Sequence, residues 1–101
     1  MRYSSLRCPI PKEMRDQLAE DKYMSRCLIG GQCEGRIQWH HSLTYAGRRV
    51  NELYAIHPMC EKHHREEARY RDRIEKATRK RIFHFKAADD FKAKYPRSKL
   101  L

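Results

Sequence analysis

The 101-residue chain has no apolar run approaching the roughly 20 residues needed to cross a bilayer, which excludes a membrane-spanning role. It also has no N-terminal apolar stretch that would direct it to an oxidising compartment, so its four cysteines favour a metal site over disulfides. Only 40% of its residues are apolar, which predicts a thin core that needs a staple such as zinc. No repeat or low-complexity linker divides the chain, so residues 1–101 are expected to form a single domain.

Positive charge is what the chain has in excess. It carries 23 lysines and arginines against 13 acidic residues, for a net charge of +10. Because neutralising phosphates releases condensed counterions, this balance favours a nucleic acid as partner, the alternative being a well-solvated basic surface. Nothing in the sequence is typical of a recognition helix with base-reading positions. Binding is therefore expected to use phosphate contacts and to have weak sequence specificity.

The first 64 residues predict a helix followed by a hairpin. An N-terminal arm, residues 1–25, contains an amphipathic helix at 11–21 with Met14, Leu18 and Ala19 on one side. The central section holds all four glycines and the unusual chemistry. Residues 36–40 alternate polar and apolar and predict a strand, and residues 53–56 predict a second. The glycine of Ala46-Gly47 favours a turn between them, which gives an antiparallel hairpin with a long loop.

The remaining residues predict helices. Neither glycine nor proline occurs from about Met59 until Pro96, so a helix is expected to begin there. The helical spacing of apolar residues breaks over residues 82–85 and then resumes, which predicts a long helix, a bend and a shorter helix whose aromatic residues are in the core. Residues 68–101 would form a basic helical extension. The predicted fold class is small α+β, in the order helix, zinc knuckle, ββα, helix.

The cysteines give the strongest single signal. Cys27 and Cys33 flank a glycine-containing turn, and Cys60 and His63 are three residues apart at the start of a predicted helix, so the four can form a tetrahedral Cys3His zinc site. The alternative is that these cysteines are reduced and packed as small hydrophobic residues. Cys8 lies outside this set and is expected to be a free thiol without a role.

Three further histidines accompany this set. His64 should point about 100° around the helix from His63, toward the hairpin. His40 and His41 can line one pocket only where the strand ends or bends, since neighbours on a strand face opposite ways. There, one imidazole could bind a metal while the other faces an incoming water. The alternative is a solvated histidine pair at a strand end.

The sequence WHH at 39–41, Asn51, and CEKHH at 60–64 resemble the HNH (ββα-metal, His-Me finger) endonuclease pattern. More narrowly, residues 26–67 are similar to the small phage recombination-enhancement HNH nucleases. The resemblance implies a zinc-stapled ββα-metal core that hydrolyses phosphodiester bonds in DNA. It also implies a cytoplasmic protein of a bacterial host cell, with phage or host recombination proteins as possible partners and an oligomeric state that it does not specify.

The resemblance assigns roles to individual residues. It implies that His40 and His64 hold a catalytic divalent ion, with Mg2+ favoured over Mn2+, Ni2+ and Zn2+, and that His41 is the general base. Asn51 would orient His41, with His57 as the other candidate for that middle position. Ala68 stands where some relatives have a further metal-binding histidine, so the ion would have two protein ligands, with Glu67 acting through water. The structural zinc ligands would be Cys27, Cys33, Cys60 and His63. The expected nucleic-acid contacts are Arg48, Arg49, Arg65, Arg69 and Arg73.

Two other functions fit parts of the sequence. A non-catalytic zinc-stapled module that binds DNA or RNA explains the cysteines and the charge, but gives no reason for His40, His41 and His64. A zinc-stapled interaction or regulatory phage protein explains less of the charge. The nuclease interpretation is therefore the one that uses the most of the unusual residues.

Overall fold

The computed structural model describes residues 10–101 and shows a small α+β fold. Residues 1–9, which include Cys8 and the first part of the predicted arm at 1–25, lie outside the described residues. The helices are α1 (Lys12–Glu20), α2 (Glu61–Arg65), α3 (Arg71–His84) and α4 (Ala88–Lys94), and the strands are β1 (Ile37–His41), β2 (Thr44–Tyr45), β3 (Arg48–Arg49) and β4 (Ile56–Cys60). Short 3-10 helices occupy Lys22–Ser25, Leu53–Ala55 and Glu67–Tyr70. No helix within residues 10–101 has the length and apolar character needed to span a membrane.

The central pair of strands is β1 and β4, which run antiparallel with Ile37 opposite Cys60 and His41 opposite Ile56. Helix α2 begins directly after β4 and contacts both strands. The second strand was predicted at 53–56, and this was wrong because residues 53–55 form a 3-10 turn. The real strand is buried along its whole length, so it shows no alternation of polar and apolar residues, and it contains a histidine and a proline.

The predicted turn at Ala46-Gly47 is present, but it closes a separate small hairpin of β2 and β3. Ala46 and Gly47 both have positive φ values, 53° and 78°, as a two-residue hairpin turn of this hand requires. Val50 then donates its N–H to the carbonyl of Leu43, which returns the chain to the end of β1. The hairpin therefore brings the residues that follow it back beside the histidine pair.

The helical predictions hold with adjustments. Helix α1 begins one residue after Pro11, and it buries Leu18 and half-buries Met14 but leaves Ala19 exposed. The long helix, bend and shorter helix are present as α3 and α4, with a bend over residues 85–87. The helix expected to start near Met59 is interrupted, because α2 ends at Arg65 before a 3-10 turn. Phe83 was expected in the core and is 60% exposed.

The core is divided into three small clusters rather than one. Tyr54, Ile82 and Phe91 centre the first, Leu18 and Ile56 belong to the second, and the third lies beside the cysteines. The members of that third cluster are Ile29, Met59 and Ile74, with Cys27, Leu28 and Tyr70 packed against them. Such small clusters bury little apolar area each, as the composition predicted.

His57 is a buried polar residue with partners on two other elements. Its side chain is 0% exposed, and its Nδ1 accepts a hydrogen bond of 2.7 Å from the Tyr23 hydroxyl. Its Nε2 lies 2.8 Å from the Thr78 hydroxyl, which itself donates to the carbonyl of Ile74, so Nε2–H must be the donor. Burial lowers the pKa of His57 to about 3, so the ring is neutral. His57 thus joins β4 to α3.

Gly35 is a position where only glycine fits. Its φ is +86°, and a Cβ added there would overlap the side chain of Glu61 at the start of α2. We expect Gly35→Ala to lower the free energy of unfolding by about 2–4 kcal/mol, since the clash adds to the left-handed strain of about 1–2 kcal/mol. Gly30→Ala is the matched control, because Gly30 also has positive φ but faces open space. Urea unfolding of both variants measures the difference, and equal losses would contradict the clash.

Candidate metal centre and adjoining histidine cleft

The first group of metal-binding side chains is the predicted Cys3His set. Nδ1 of His63 lies 3.4 Å from Sγ of Cys27, 3.7 Å from Sγ of Cys33 and 3.2 Å from Sγ of Cys60. Ligands of a tetrahedral zinc at ordinary bond lengths would have a nitrogen-to-sulfur distance of about 3.6 Å. The observed distances lie on either side of this value. The group can therefore hold a structural metal such as zinc.

Backbone contacts hold the four ligands in place. Leu28 donates its N–H to the carbonyl of Pro58 at 2.7 Å, which fixes the loop bearing Cys27 against β4. Sγ of Cys60 accepts the N–H of His63, and Sγ of Cys27 accepts the N–H of Cys60. Burial opposes ionisation of Cys60, but N–H donors outweigh it and lower its pKa. A lowered pKa favours the thiolate that binds metal.

The second group consists of His40, His64 and Glu67, whose ligand atoms all lie within 4.8 Å of one another. His40 is near the end of β1, His64 is in α2 and Glu67 begins the next 3-10 turn. The rings of His40 and His64 meet edge to face with centroids 5.0 Å apart. From the sequence, Glu67 was expected to reach the ion only through a water molecule. Its direct approach to His40 could not be predicted, because it depends on the break in the helix after Arg65.

His40 and Glu67 are close enough to be two ligands of one ion. Nδ1 of His40 lies 2.8 Å from Oε2 of Glu67, yet Oε2 is buried and makes no hydrogen bond. Burial, helped by the charges of His64, His41 and Arg49, lowers the pKa of His40 to about 4, so the ring is neutral. Two ligands at right angles on one ion would be about 3 Å apart. The pair therefore fits a divalent ion.

Gln38 sets the orientation of His64. Its Oε1 lies 2.7 Å from Nδ1 of His64, and because a carbonyl oxygen only accepts, Nδ1 carries the proton. The lone pair of His64 is then on Nε2, which leaves that atom for the ion. This arrangement is the usual one for a metal-binding histidine, whose other nitrogen donates to an oxygen.

His41 lies beside this group and has a different partner. Its Nε2 is 2.8 Å from Oδ1 of Asn51, so Nε2–H donates and the lone pair is on Nδ1. Burial lowers the pKa of His41, the hydrogen bond to Asn51 raises it, and the charge of Arg49 lowers it again, with a net decrease. A lowered pKa keeps the ring neutral near pH 7. His41 can thus accept a proton from a neighbouring molecule.

One cleft of about 420 Å³ exposes both histidines of the pair. His40 and His41 can share it because β1 ends at His41. Glu67, Arg71 and Glu75, which follow one another at intervals of four residues, also line this cleft. The full lining is His40, His41, Ser42, Glu67, Ala68, Arg71, Ile74 and Glu75. Sequence reasoning did not select Arg71 for the site, although its spacing of four residues from Glu67 on a helical segment was a usable signal.

The structure separates the arginines expected to contact nucleic acid. Arg49 lies near the cleft, since its charge acts on His40 and His41. Arg48 and Arg65 are exposed on β3 and α2. Arg69 and Arg73 instead line a different cleft beside the Cys3His group, where Arg73 donates to the carbonyl of Ile29 at 3.0 Å. These last two are not brought to the histidine cleft.

No protein-family profile, curated protein or solved structure gives a significant match to this chain. The chemistry of the site is set by the groups in it. The ligand atoms of His40, His64 and Glu67 lie within 4.8 Å of one another, and His41 and Arg71 line the cleft beside them. Such a set can bind a divalent ion and an anionic substrate together, with a base beside them.

Proposed function

We propose that the protein is a metal-dependent DNA endonuclease of the HNH, or ββα-metal, type, which hydrolyses phosphodiester bonds with weak sequence specificity. The observation that carries this proposal is the position of His41, held by Asn51, in the same cleft as the donor group of His40 and Glu67. A purely structural zinc module needs neither feature. The antiparallel β1 and β4 followed by α2 support the proposal, because the sequence resemblance implies a hairpin and a helix around the catalytic ion.

The catalytic ion would be held by His40 and His64, as the sequence resemblance implies, with Glu67 as a third and direct ligand. When bound, it supplies positive charge that stabilises the negative charge growing on the phosphate and the leaving oxygen. Two imidazoles and one carboxylate suit Mn2+, Ni2+ and Zn2+ as well as Mg2+. Glu67 would offset part of the ion's charge and supply a third protein ligand beside His40 and His64.

His41 would act as the general base. Its Nδ1 takes a proton from water while the water oxygen bonds to phosphorus and the bond from phosphorus to the 3′ oxygen breaks. The departing 3′ oxygen then takes a proton from solvent. Asn51 would keep Nε2 protonated, so that the free lone pair stays on Nδ1. Arg71 and Arg49 would hold the phosphate, since a guanidinium can pair with two phosphate oxygens.

A zinc ion in the Cys3His group would position this machinery as well as stabilise the fold. His63 and His64 are adjacent in α2, and Cys60 caps the first turn of that helix. Fixing His63 and Cys60 on one ion therefore fixes the turn from which His64 projects to the other group. The structural and catalytic ions would share a single five-residue helix.

The biological setting belongs to the same proposal. The similarity of residues 26–67 to phage recombination-enhancement nucleases supports DNA processing in recombination, in the cytoplasm of a bacterial host, with phage or host recombination proteins as partners. The net charge of +10 supports DNA as substrate. The main alternative is a zinc-stapled module that binds nucleic acid without cutting it.

Conversion of supercoiled plasmid by the zinc-loaded protein tests the proposal. We expect cleavage with Mg2+ or Mn2+, and at least a tenfold lower rate for Glu67→Gln at limiting ion, because the anionic ligand is lost. Glu66→Gln is the matched control, since Glu66 makes only a long contact with Arg69 and should leave the rate unchanged. A wild-type protein that binds DNA and retains zinc but cuts with neither ion would favour the non-catalytic module.

A further inference from the structure

A third cleft, of about 390 Å³, lies on another side of α3 from the cleft of His40 and His41. We call it the basic groove, and it is lined by Tyr23, Leu28, Arg73, Lys76, Ala77, Lys80 and Arg81. We propose that the basic groove binds the phosphate backbone of a second DNA segment while the histidine cleft holds the first. The binding by the groove stands on its own observations, whereas the simultaneous use of two segments rests on the proposed nuclease function.

Helical spacing gathers the cations of the basic groove. Arg73, Lys76 and Lys80 follow one another at intervals of three and four residues, which places them on one face of α3. All three are exposed. Within residues 10–101, neither Lys76 nor Lys80 has a carboxylate within ion-pair distance. Their charges are therefore available to an external anion.

Arg81 forms the floor of the basic groove and is already neutralised. It is 8% exposed, pairs with Asp21 at 2.6 Å and lies over the ring of Tyr23 at 3.9 Å. The Tyr23 hydroxyl in turn is used by His57. A ligand in the groove would thus meet the exposed cations at the rim and a rigid floor beneath them.

The basic surface continues past the groove toward the Cys3His group. Arg73 also lines the cleft that contains Lys62 and Arg69, although Arg69 is partly offset by Glu66 at 3.5 Å. From Arg73 to Lys80 the helix rises about 10 Å, or about three nucleotides of one DNA strand. An evenly spaced row of cations along a helix suits a phosphate backbone, because phosphates repeat at regular intervals. Phe83, one turn beyond Lys80 on the same face, is 60% exposed. A single apolar side chain buries little area in a membrane, so DNA is the favoured occupant and anionic vesicles are an arm of the test.

The basic groove and the histidine cleft cannot contact the same phosphate. Arg71, Ile74 and Glu75 of α3 line the histidine cleft. Around the helix, Lys76 lies about 160° from Ile74, about 140° from Arg71 and about 100° from Glu75. Because a helix with its side chains is about 10 Å across, the two clefts open in different directions. A DNA that fills both clefts must therefore present two separate stretches of backbone, as the arms of a branched DNA do.

Charge reversal tests the groove itself. The zinc-loaded protein is titrated with a labelled duplex of about 30 base pairs over a range of salt. Lys76→Glu/Lys80→Glu should weaken binding at least tenfold and reduce the salt slope by about 1.8, since each lost phosphate contact removes about 0.9. Lys92→Glu/Lys99→Glu changes net charge equally at two exposed lysines elsewhere and should lower affinity less, without that loss of slope. Equal slopes for the two variants would overturn the groove as a DNA site.

Energy transfer between two differently labelled duplexes tests bridging, with His41→Ala in both proteins to prevent cutting. Energy transfer that requires the protein and is lost in the Lys76→Glu/Lys80→Glu variant would support the binding of two DNA segments. No energy transfer with the protein that keeps Lys76 and Lys80 would overturn it. Anionic vesicles form a separate arm, and a groove variant that loses vesicles but keeps DNA would also overturn the proposal. Failure to cleave plasmid would refute the nuclease function but leave the salt slopes of the groove as they are.

Discussion

Removing zinc is expected to unfold the protein. A domain of this size has a free energy of unfolding of about 5–15 kcal/mol, while structural zinc contributes an apparent binding free energy of about 10–16 kcal/mol. The second quantity is as large as the first, and the three small core clusters offer no reserve. Chelation should therefore abolish the far-ultraviolet circular dichroism of the helices, and Cys60→Ser should give little folded protein.

Cys8→Ser is the matched control for this prediction, because the sequence predicts no role for Cys8, which lies outside the described residues. We expect this variant to bind one zinc per chain and to melt like the wild type. Metal analysis that finds no tightly held zinc, or helical signal that survives complete chelation, would contradict the structural role. A folded Cys60→Ser protein with full zinc content would contradict the ligand assignment.

The expected unfolding affects how metal dependence is tested. A chelator that stops cleavage has two possible targets, the ion at His40 and the ion at Cys60. The first removes chemistry and the second removes the fold. Glu67→Gln separates them, since Glu67 belongs to the donor group of His40 and His64 and not to the Cys3His group. Loss of cleavage in that variant with unchanged zinc content and melting temperature would assign the dependence to the histidine cleft.

The sequence allowed the local chemistry to be predicted more completely than the strand pairing. The spacing of Cys60 and His63 needs only one helical turn to bring both to one ion, so it is readable from the chain. β4 is different, because all five of its residues are buried and no alternation marks it. The strand was therefore predicted at 53–56 instead of Ile56–Cys60. Its partner β1 was predicted at 36–40 and lies at Ile37–His41, a shift of one residue.

Asn51 and Glu67 show what depends on tertiary structure. Asn51 is ten residues from His41, and only the small β2–β3 hairpin between them makes their contact possible. Glu67 comes to His40 because the helix breaks after Arg65, which neither glycine nor proline announces. Where the break lies is decided by the packing of α2 on the strands, not by local propensity. His57, the other candidate for the middle position, was excluded only by its buried partners.

Replacing His41 with alanine is expected to reduce plasmid cleavage by about a hundredfold to ten-thousandfold, the usual range for a general base. Binding of DNA and of the divalent ion should stay close to wild type, because His41 is absent from the donor group of His40, His64 and Glu67. His84→Ala is the matched control, since His84 is exposed at the end of α3 and far along the chain from the cleft. It should cleave at the wild-type rate.

Asn51→Ala should have a smaller effect, of about tenfold, because the base remains but its tautomer is no longer fixed. Added imidazole should restore part of the rate of His41→Ala and none of the rate of Asn51→Ala, which still has its own base. A residual cut of equal rate in wild type and His41→Ala would mean that the proton leaves by another route. The cleft would then bind an ion and DNA, but His41 would serve it only as packing against Asn51.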